Sequence, residues 1–179
     1  MVAWLFKSSV KKIHAASLYR RLAGRLATWI HFDEASPQDL ITVHRAFTVG
    51  VEASPAGNGR DTTNYVARMR GLVAGFVQLK RYSSETFPFQ GFWLLSLQVR
   101  PLWRGMGIGE GLTRKVVERA AAERAQELLL LVEEDNWPAI NLYDKLGFKR
   151  IVIPRLEEQL EEEQLSSGKR RISLRKALV

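Results

Sequence analysis

Six residues, Arg104-Gly105-Met106-Gly107-Ile108-Gly109, stand between an apolar run over 92–99 and a stretch of helical periodicity. That placement suits them to hold phosphate. The first turn of a helix carries backbone N–H groups with no partner inside the helix, and the macrodipole adds partial positive charge there. Glycine has no Cβ to hold an anion away, so the backbone can wrap a phosphate. Arg104 sets a fixed positive charge beside those donors. Two familiar phosphate motifs are excluded. The dinucleotide pattern Gly-x-Gly-x-x-Gly fails because its sixth position is Glu110 counted from Gly105, and Leu112 counted from Gly107. The P-loop pattern fails because no Gly-Lys-Ser/Thr follows. What remains is Arg-x-x-Gly-x-Gly.

That pattern resembles the acyl-CoA binding signature of the GNAT superfamily of N-acetyltransferases, and the resemblance runs well beyond six residues. Leu97, Val99, Pro101, Arg104, Gly105, Gly107, Ile108, Gly109 and Leu112 are spaced like one strand-to-helix segment of that family. Asn136, Ala139, Leu142-Tyr143 and Leu146-Gly147-Phe148 resemble its next strand-to-helix block, at the family's usual separation. The resemblance implies a GNAT domain over residues 28–179 and acetyl-CoA as co-substrate; no metal is expected, from the histidine spacing and the lack of cysteine. The resemblance implies that the amides of Arg104, Met106, Gly107, Ile108 and Gly109 face the pyrophosphate, with Gly105 part of the same cofactor-binding turn. It also implies that two neighbouring strands splay, freeing the backbone of Leu97 and Val99 for the pantetheine arm. Val99 N–H would polarise the thioester carbonyl, and Asn136 would hold the arm. Periodicity alone shows no such splay.

Amide-forming acetyl transfer needs a bound thioester, a neutral amine, stabilisation of an oxyanion and a proton for the departing thiolate. By the resemblance, Tyr143 is the candidate general acid. A phenol near pH 10 stays protonated at neutral pH, and transfer to a thiolate needs close contact. A tyrosine on an apolar helix face also reads as a core residue, and Asn136 also reads as a helix cap. The run 92–99 has no glutamate to act as base. Glu133, Glu134 and Asp135 after the next apolar run are candidates, as is Glu85, each equally readable as a solvated carboxylate. Glu133 is the one chosen.

The elements that must position these groups follow from pattern. Residues 28–33 alternate as a strand; Ser36-Pro37-Gln38-Asp39 opens a helix whose face is Leu40, Val43 and Phe47. Residues 50–63 read as loop. Strands are predicted over 65–70 and 72–81, turning at Gly71, then over 92–99 after a second loop. Ile108, Leu112, Val116 and Ala120 line one face of the helix after the glycines. A continuous apolar strand covers 128–132, buried on both sides. A helix starts at Trp137-Pro138 and ends at Gly147, strands follow over 148–153 and 171–176, and an acidic helical stretch fills 156–165 between them. The fold class is α/β, a mixed and partly antiparallel sheet with helices on both faces.

Composition narrows the rest. With 179 residues, 46% hydrophobic and 26% charged, the chain reads as one soluble domain, expected to be cytoplasmic. It has no cysteine, which excludes disulfides, thiolate metal sites and a thiol nucleophile. No run of 18 apolar residues suggests a transmembrane segment. His14, His31 and His44 have no metal-ligand spacing. Of the net charge of +8, most comes from Lys7, Lys11, Lys12, Arg20, Arg21 and Arg25, which precede the first acid, Asp33. Residues 1–27 therefore read as a basic helical arm that docks on the domain or on a neighbour in a homodimer, against the reading of a targeting or interfacial helix. The acceptor is expected to be a primary amine, of a protein or peptide or of a small molecule. A non-catalytic acyl-CoA-binding module is the alternative, and a nucleic-acid or membrane-surface adaptor is disfavoured for want of a binding motif.

Overall fold

The computed structural model describes residues 29–47, 61–82 and 89–178. The basic arm, most of the first loop and Glu85 lie outside the described residues. Among the described residues seven strands form one sheet, in the order β1-β2-β3-β4-β5-β7-β6. They are β1 (Ile30–Glu34), β2 (Thr62–Met69), β3 (Leu72–Tyr82), β4 (Gly91–Val99), β5 (Glu127–Glu133), β6 (Lys149–Ile151) and β7 (Arg171–Ala177). Four α-helices among the described residues accompany them: α1 (Pro37–Ala46), α2 (Ile108–Ala122), α3 (Trp137–Lys145) and α4 (Pro154–Ser167). Every strand pairing is antiparallel except β4 with β5. The expected mixed sheet with helices on both faces is what forms. No helix among the described residues is long and apolar enough to cross a membrane.

Local chemistry explains the elements. Ser36 caps α1 by accepting from Asp39 N–H at 3.2 Å, while Asp39 Oδ2 accepts from Ser36 N–H at 2.8 Å. This reciprocal box satisfies two donors that the helix cannot use. Arg68 on β2 closes a further ion pair on Asp39. Burial alone would raise the Asp39 carboxyl, but the Ser36 bonds and Arg68 hold it below the usual carboxylate range. Arg70 and Gly71, both with positive φ (50° and 79°), make the tight hairpin between β2 and β3.

Two sequence boundaries are corrected. β2 begins at Thr62, inside the predicted loop, because Asn64 faces Gln78 across the ladder and accepts its amide at 2.9 Å in the interior. β6 spans only Lys149–Ile151, shorter than expected, since Pro154 starts α4.

The sheet is covered by three apolar clusters. On one face α2 and α3 pack Ile108, Leu112, Val116 and Tyr143 over Leu79, Leu94, Leu128 and Leu130. On the other, α1 sets Val43 against Val66, Val73 and Phe76. Beyond it α4 sets Leu156 and Leu160 against Trp93 and Leu129. β5 is thus covered on both sides, as its unbroken apolar run requires.

Candidate active site

The site begins with a fault in the sheet. Phe76 faces Gln98 and Gln78 faces Leu95, so Val77 alone stands opposite the two residues Ser96 and Leu97. Ser96 carries a φ of 55° at this bulge. A bulge bends its strand and raises the local twist. On the other side, β4 pairs with β5 only at Phe92 with Leu128 and Trp93 with Leu129. From Leu94 onward β4 has no ladder partner on its β5 side, and the two parallel strands open into a V. This is the splay that the resemblance implied and that period-two alternation does not reveal.

The open end of the V meets the glycine turn. After Val99 a short 3-10 turn, Pro101–Trp103, reverses the chain, and Gly107 caps α2 with a φ of 81°. Glycine adopts that left-handed conformation without steric cost. The first helical bond is Gly111 N–H to Gly107 O, at 2.9 Å. The amides of Ile108, Gly109 and Glu110 therefore have no partner within α2, and they point out of its N-terminus. Gly109 answers a second need. A Cβ there would sit 3.3 Å from Leu142 Cδ2, so glycine lets α3 approach the first turn of α2.

Together these elements enclose one groove of about 910 Å³. Leu97, Val99, Arg104, Gly105, Gly107, Ile108 and Gly109 line one wall, and Asn136, Pro138, Ala139 and Leu142 line the other. The groove passes to the opposite face of the sheet, where Ala46, Phe47, Gln98 and Arg100 line it. Eight of the nine residues expected to bind the co-substrate are thus brought together. Met106 is the exception: it is packed against the main core and does not line the groove.

Arg104 differs from expectation in detail. Its amide N–H donates to Pro101 O at 3.3 Å, so that group is spent on the turn and is not part of the cradle. Its Nε donates to Val99 O at 3.1 Å, tying the strand end to the glycine turn. Asn136 does cap α3, accepting from Ala139 N–H at 3.2 Å, and it lines the groove as well. The two readings of that residue are compatible, because the cap uses the carbonyl oxygen and leaves the amide NH₂ as a donor.

The residues expected to do chemistry lie differently. Tyr143 is buried, with its ring edge-on to Phe148 at 5.4 Å, and its neighbour Leu142 forms the groove wall. Burial pushes the phenol well above its ordinary value, so it holds its proton at neutral pH. Glu133 ends β5 at the open side of the V, where its carboxylate takes Lys169 Nζ at 2.8 Å, and it does not line the groove. Glu134 is engaged by Arg150 at 2.9 Å, and Asp135 is exposed. The carboxylate that lines the groove among the described residues is Glu110, which sequence reasoning passed over. Hydrogen bonds from Lys145 at 2.5 Å and Arg114 at 2.9 Å hold it below its ordinary value. Its position in the first turn of a helix was the available signal.

Residues 27–148 match the profile of the Acetyltransferase (GNAT) family. The protein belongs to the GNAT family. Among curated relatives, this GNAT protein is 36% identical over 76 residues to a mycothiol acetyltransferase of Corynebacterium glutamicum, covering 42% of this chain and 24% of that one. It is 33% identical over 89 residues to the N-alpha-acetyltransferase RimI of Mycobacterium tuberculosis, covering 50% and 53%. The chain therefore spans between about a quarter and about half the length of these relatives. A nourseothricin acetyltransferase structure superposes with a TM-score of 0.64 at 21% identity, over 84% of this chain and 99% of that one. A Bacillus anthracis streptothricin acetyltransferase, solved with acetyl coenzyme A, gives 0.55 at 19% identity, over 67% and 64%. These two likenesses establish the GNAT fold.

Proposed function

We propose that the protein is an N-acetyltransferase that moves the acetyl group of acetyl-CoA to a primary amine in a ternary complex. One observation carries this reading: the open V between β4 and β5 and the glycine-capped N-terminus of α2 share a single groove. The N-terminus offers amides and a partial positive charge to phosphate. The unpaired edge of β4 offers a row of backbone groups to an extended arm that itself carries amides. The groove is large enough for a ligand with both parts. The relatives point the same way, since their names are those of acetyltransferases, among them N-alpha-acetyltransferases.

Acetyl-CoA supplies an activated thioester. The amine nitrogen attacks its carbonyl carbon, the C–S bond breaks, the nitrogen loses a proton and the thiolate gains one. In this chain the Val99 N–H, on the open side of β4, is assigned to the carbonyl oxygen, where negative charge develops. Tyr143 is assigned to the thiolate as proton donor; what supports it is its place one residue after the wall residue Leu142 and its protonated state. Glu133, at the open end of β5, is assigned as the proton acceptor. A cytoplasmic location belongs to the same proposal, because a chain without cysteine needs no oxidising compartment.

The test is mass spectrometry of products after acetyl-CoA is incubated with the protein and a panel of amines and peptides. Acetylated product with release of CoA is expected. Tight binding of acetyl-CoA with no transfer to any acceptor would leave a non-catalytic acyl-CoA-binding module.

A further inference from the structure

We infer that Arg100 anchors a carboxylate on the acceptor, so that the amine acetylated here belongs to a molecule with an acid group close to that amine. The inference rests on the acetyl-transfer reading above and names the substrate class within it.

Arg100 follows the last residue of β4, and the two side chains part company there. Val99 lies toward α2 and α3, where a Cβ on Gly109 would come 3.8 Å from its Cγ2. Arg100 turns to the other face, and its guanidinium carbon stands 5.8 Å from the ring centroid of Phe47, at the end of α1. Its backbone N–H donates to Ala74 O at 2.9 Å, which fixes where the side chain starts. The side chain lines the groove. Its Nε is buried and has no hydrogen-bond partner. None of the ion pairs among the described residues includes it.

Among the described residues no other arginine has a buried side-chain nitrogen without a hydrogen-bond partner, and those that form no ion pair, such as Arg45 and Arg124, are exposed. Arg68, Arg114, Arg119, Arg150, Arg170, Arg171 and Arg175 each reach a carboxylate, and Arg104 Nε has the carbonyl of Val99. A guanidinium N–H out of water without an acceptor is costly. The Phe47 ring lies within cation–π range of the guanidinium but accepts no hydrogen bond from Nε in the structure, which leaves that donor for a ligand. A carboxylate fits the Nε edge, since its two oxygens can take Nε–H and one terminal N–H in parallel. The phosphates of the co-substrate are a poorer fit for it. They belong at the N-terminus of α2, which packs on the opposite face of the sheet from Phe47 and α1. Arg100 is left in the part of the groove shared with Ala46 and Phe47, away from the N-terminus of α2. The acid can be the α-carboxylate of a free amino acid or an acidic side chain near a peptide's N-terminus; the chemistry that Arg100 reads is the same.

The experiment uses the full chain and paired acceptors that differ only in the acid. Alanine is set against alaninamide, and tripeptides with Asp or Glu at the second position are set against their Asn or Gln twins. CoA release gives kcat/KM, and calorimetry gives the Kd of acetyl-CoA. The wild type is expected to favour the acidic member of at least one pair by roughly tenfold or more, and the favoured pair identifies the source of the acid. Arg100→Gln should bring that ratio to about one while leaving the acetyl-CoA Kd within about twofold. A preference that survives in Arg100→Gln, no preference in the wild type, or an acetyl-CoA Kd that rises about tenfold in the variant would overturn the assignment. If nothing is acetylated, the transfer reading itself has failed, and the Arg100 Nε–H resonance decides separately. With acetyl-CoA bound, a shift on adding alanine but not alaninamide supports the carboxylate site; no shift with any acidic probe removes it.

Discussion

Gly107 gives the sharpest test of the phosphate cradle, because strain and charge can be separated there. Its φ is 81°, and a Cβ built on it would meet nothing within 4 Å. Substitution therefore costs backbone strain and no clash. Asn and Asp tolerate the left-handed region best among residues with side chains, so either should destabilise by only about 1 kcal/mol. For a chain of this size that is roughly 2–4 °C in Tm. The two variants have the same shape and differ in one charge. An aspartate carboxylate about 5 Å from a bound phosphate, at an effective dielectric constant near 20, adds about 3 kcal/mol of repulsion. That is roughly a two-hundredfold rise in Kd. Calorimetry with acetyl-CoA should show Gly107→Asp binding some two orders of magnitude more weakly than Gly107→Asn, with closely matched Tm values. The gap should narrow as salt is raised from about 0.1 M toward 1 M, where the screening length falls from about 10 Å to 3 Å. Equal affinities for the two variants at low salt would refute the placement of phosphate at this turn.

Tyr143→Phe keeps the ring contact with Phe148 and removes only the hydroxyl, so acetyl-CoA affinity should hold while kcat falls by about 10²–10⁴-fold. An unchanged kcat with chemistry rate-limiting would make Tyr143 a packing residue. Glu133→Gln should lower turnover at neutral pH and be partly rescued as pH rises and the amine deprotonates in water; a flat response would leave Glu133 as a partner of Lys169 alone. Asp39→Asn breaks the capping box and the ion pair to Arg68, for about 1–2 kcal/mol and a Tm lower by roughly 2–8 °C at pH 7. Since the folded carboxyl titrates below its unfolded value near 4, its contribution is full above that pH and fades as pH falls through the folded value. The Tm difference between wild type and variant should therefore be constant near neutrality and close in acid. A gap that widens below pH 4 would contradict the assignment.

How much of this was legible beforehand depends on the range of the forces involved. The face of α2 was readable, because Ile108, Leu112, Val116 and Ala120 recur at helical spacing and all are buried. The start of α1 was readable because Ser36 and Asp39 act within one turn. The glycine turn that caps α2 was readable because a left-handed cap is a local backbone requirement that glycine meets. The start of β2 was not. Asp61 through Asn64 has the composition of a loop, and it becomes strand only through the cross-strand pair with Gln78. The V between β4 and β5 rests on a register offset against β3, a relation between distant segments that no window along the chain contains. Arg100 carries no local signal of its role, because the Phe47 ring beside it is far away in sequence. Tyr143 and Leu142 could not be told apart by pattern, because both lie on apolar positions of α3 and only packing decides which one meets the groove.

The two ladder pairs between β4 and β5 are the entire hydrogen-bonded seam between two half-sheets, one of four strands and one of three. A ligand that threads the V and bonds to the exposed edge of β4 extends that seam as a surrogate strand, so the fold and the co-substrate share a structural element. The linkage has a size. At a hundred times its Kd such a ligand adds about 2.7 kcal/mol to the folded state, a sizeable part of what holds a domain of this kind together. If the proposed acetyl transfer holds, the durability of the protein follows the supply of its co-substrate.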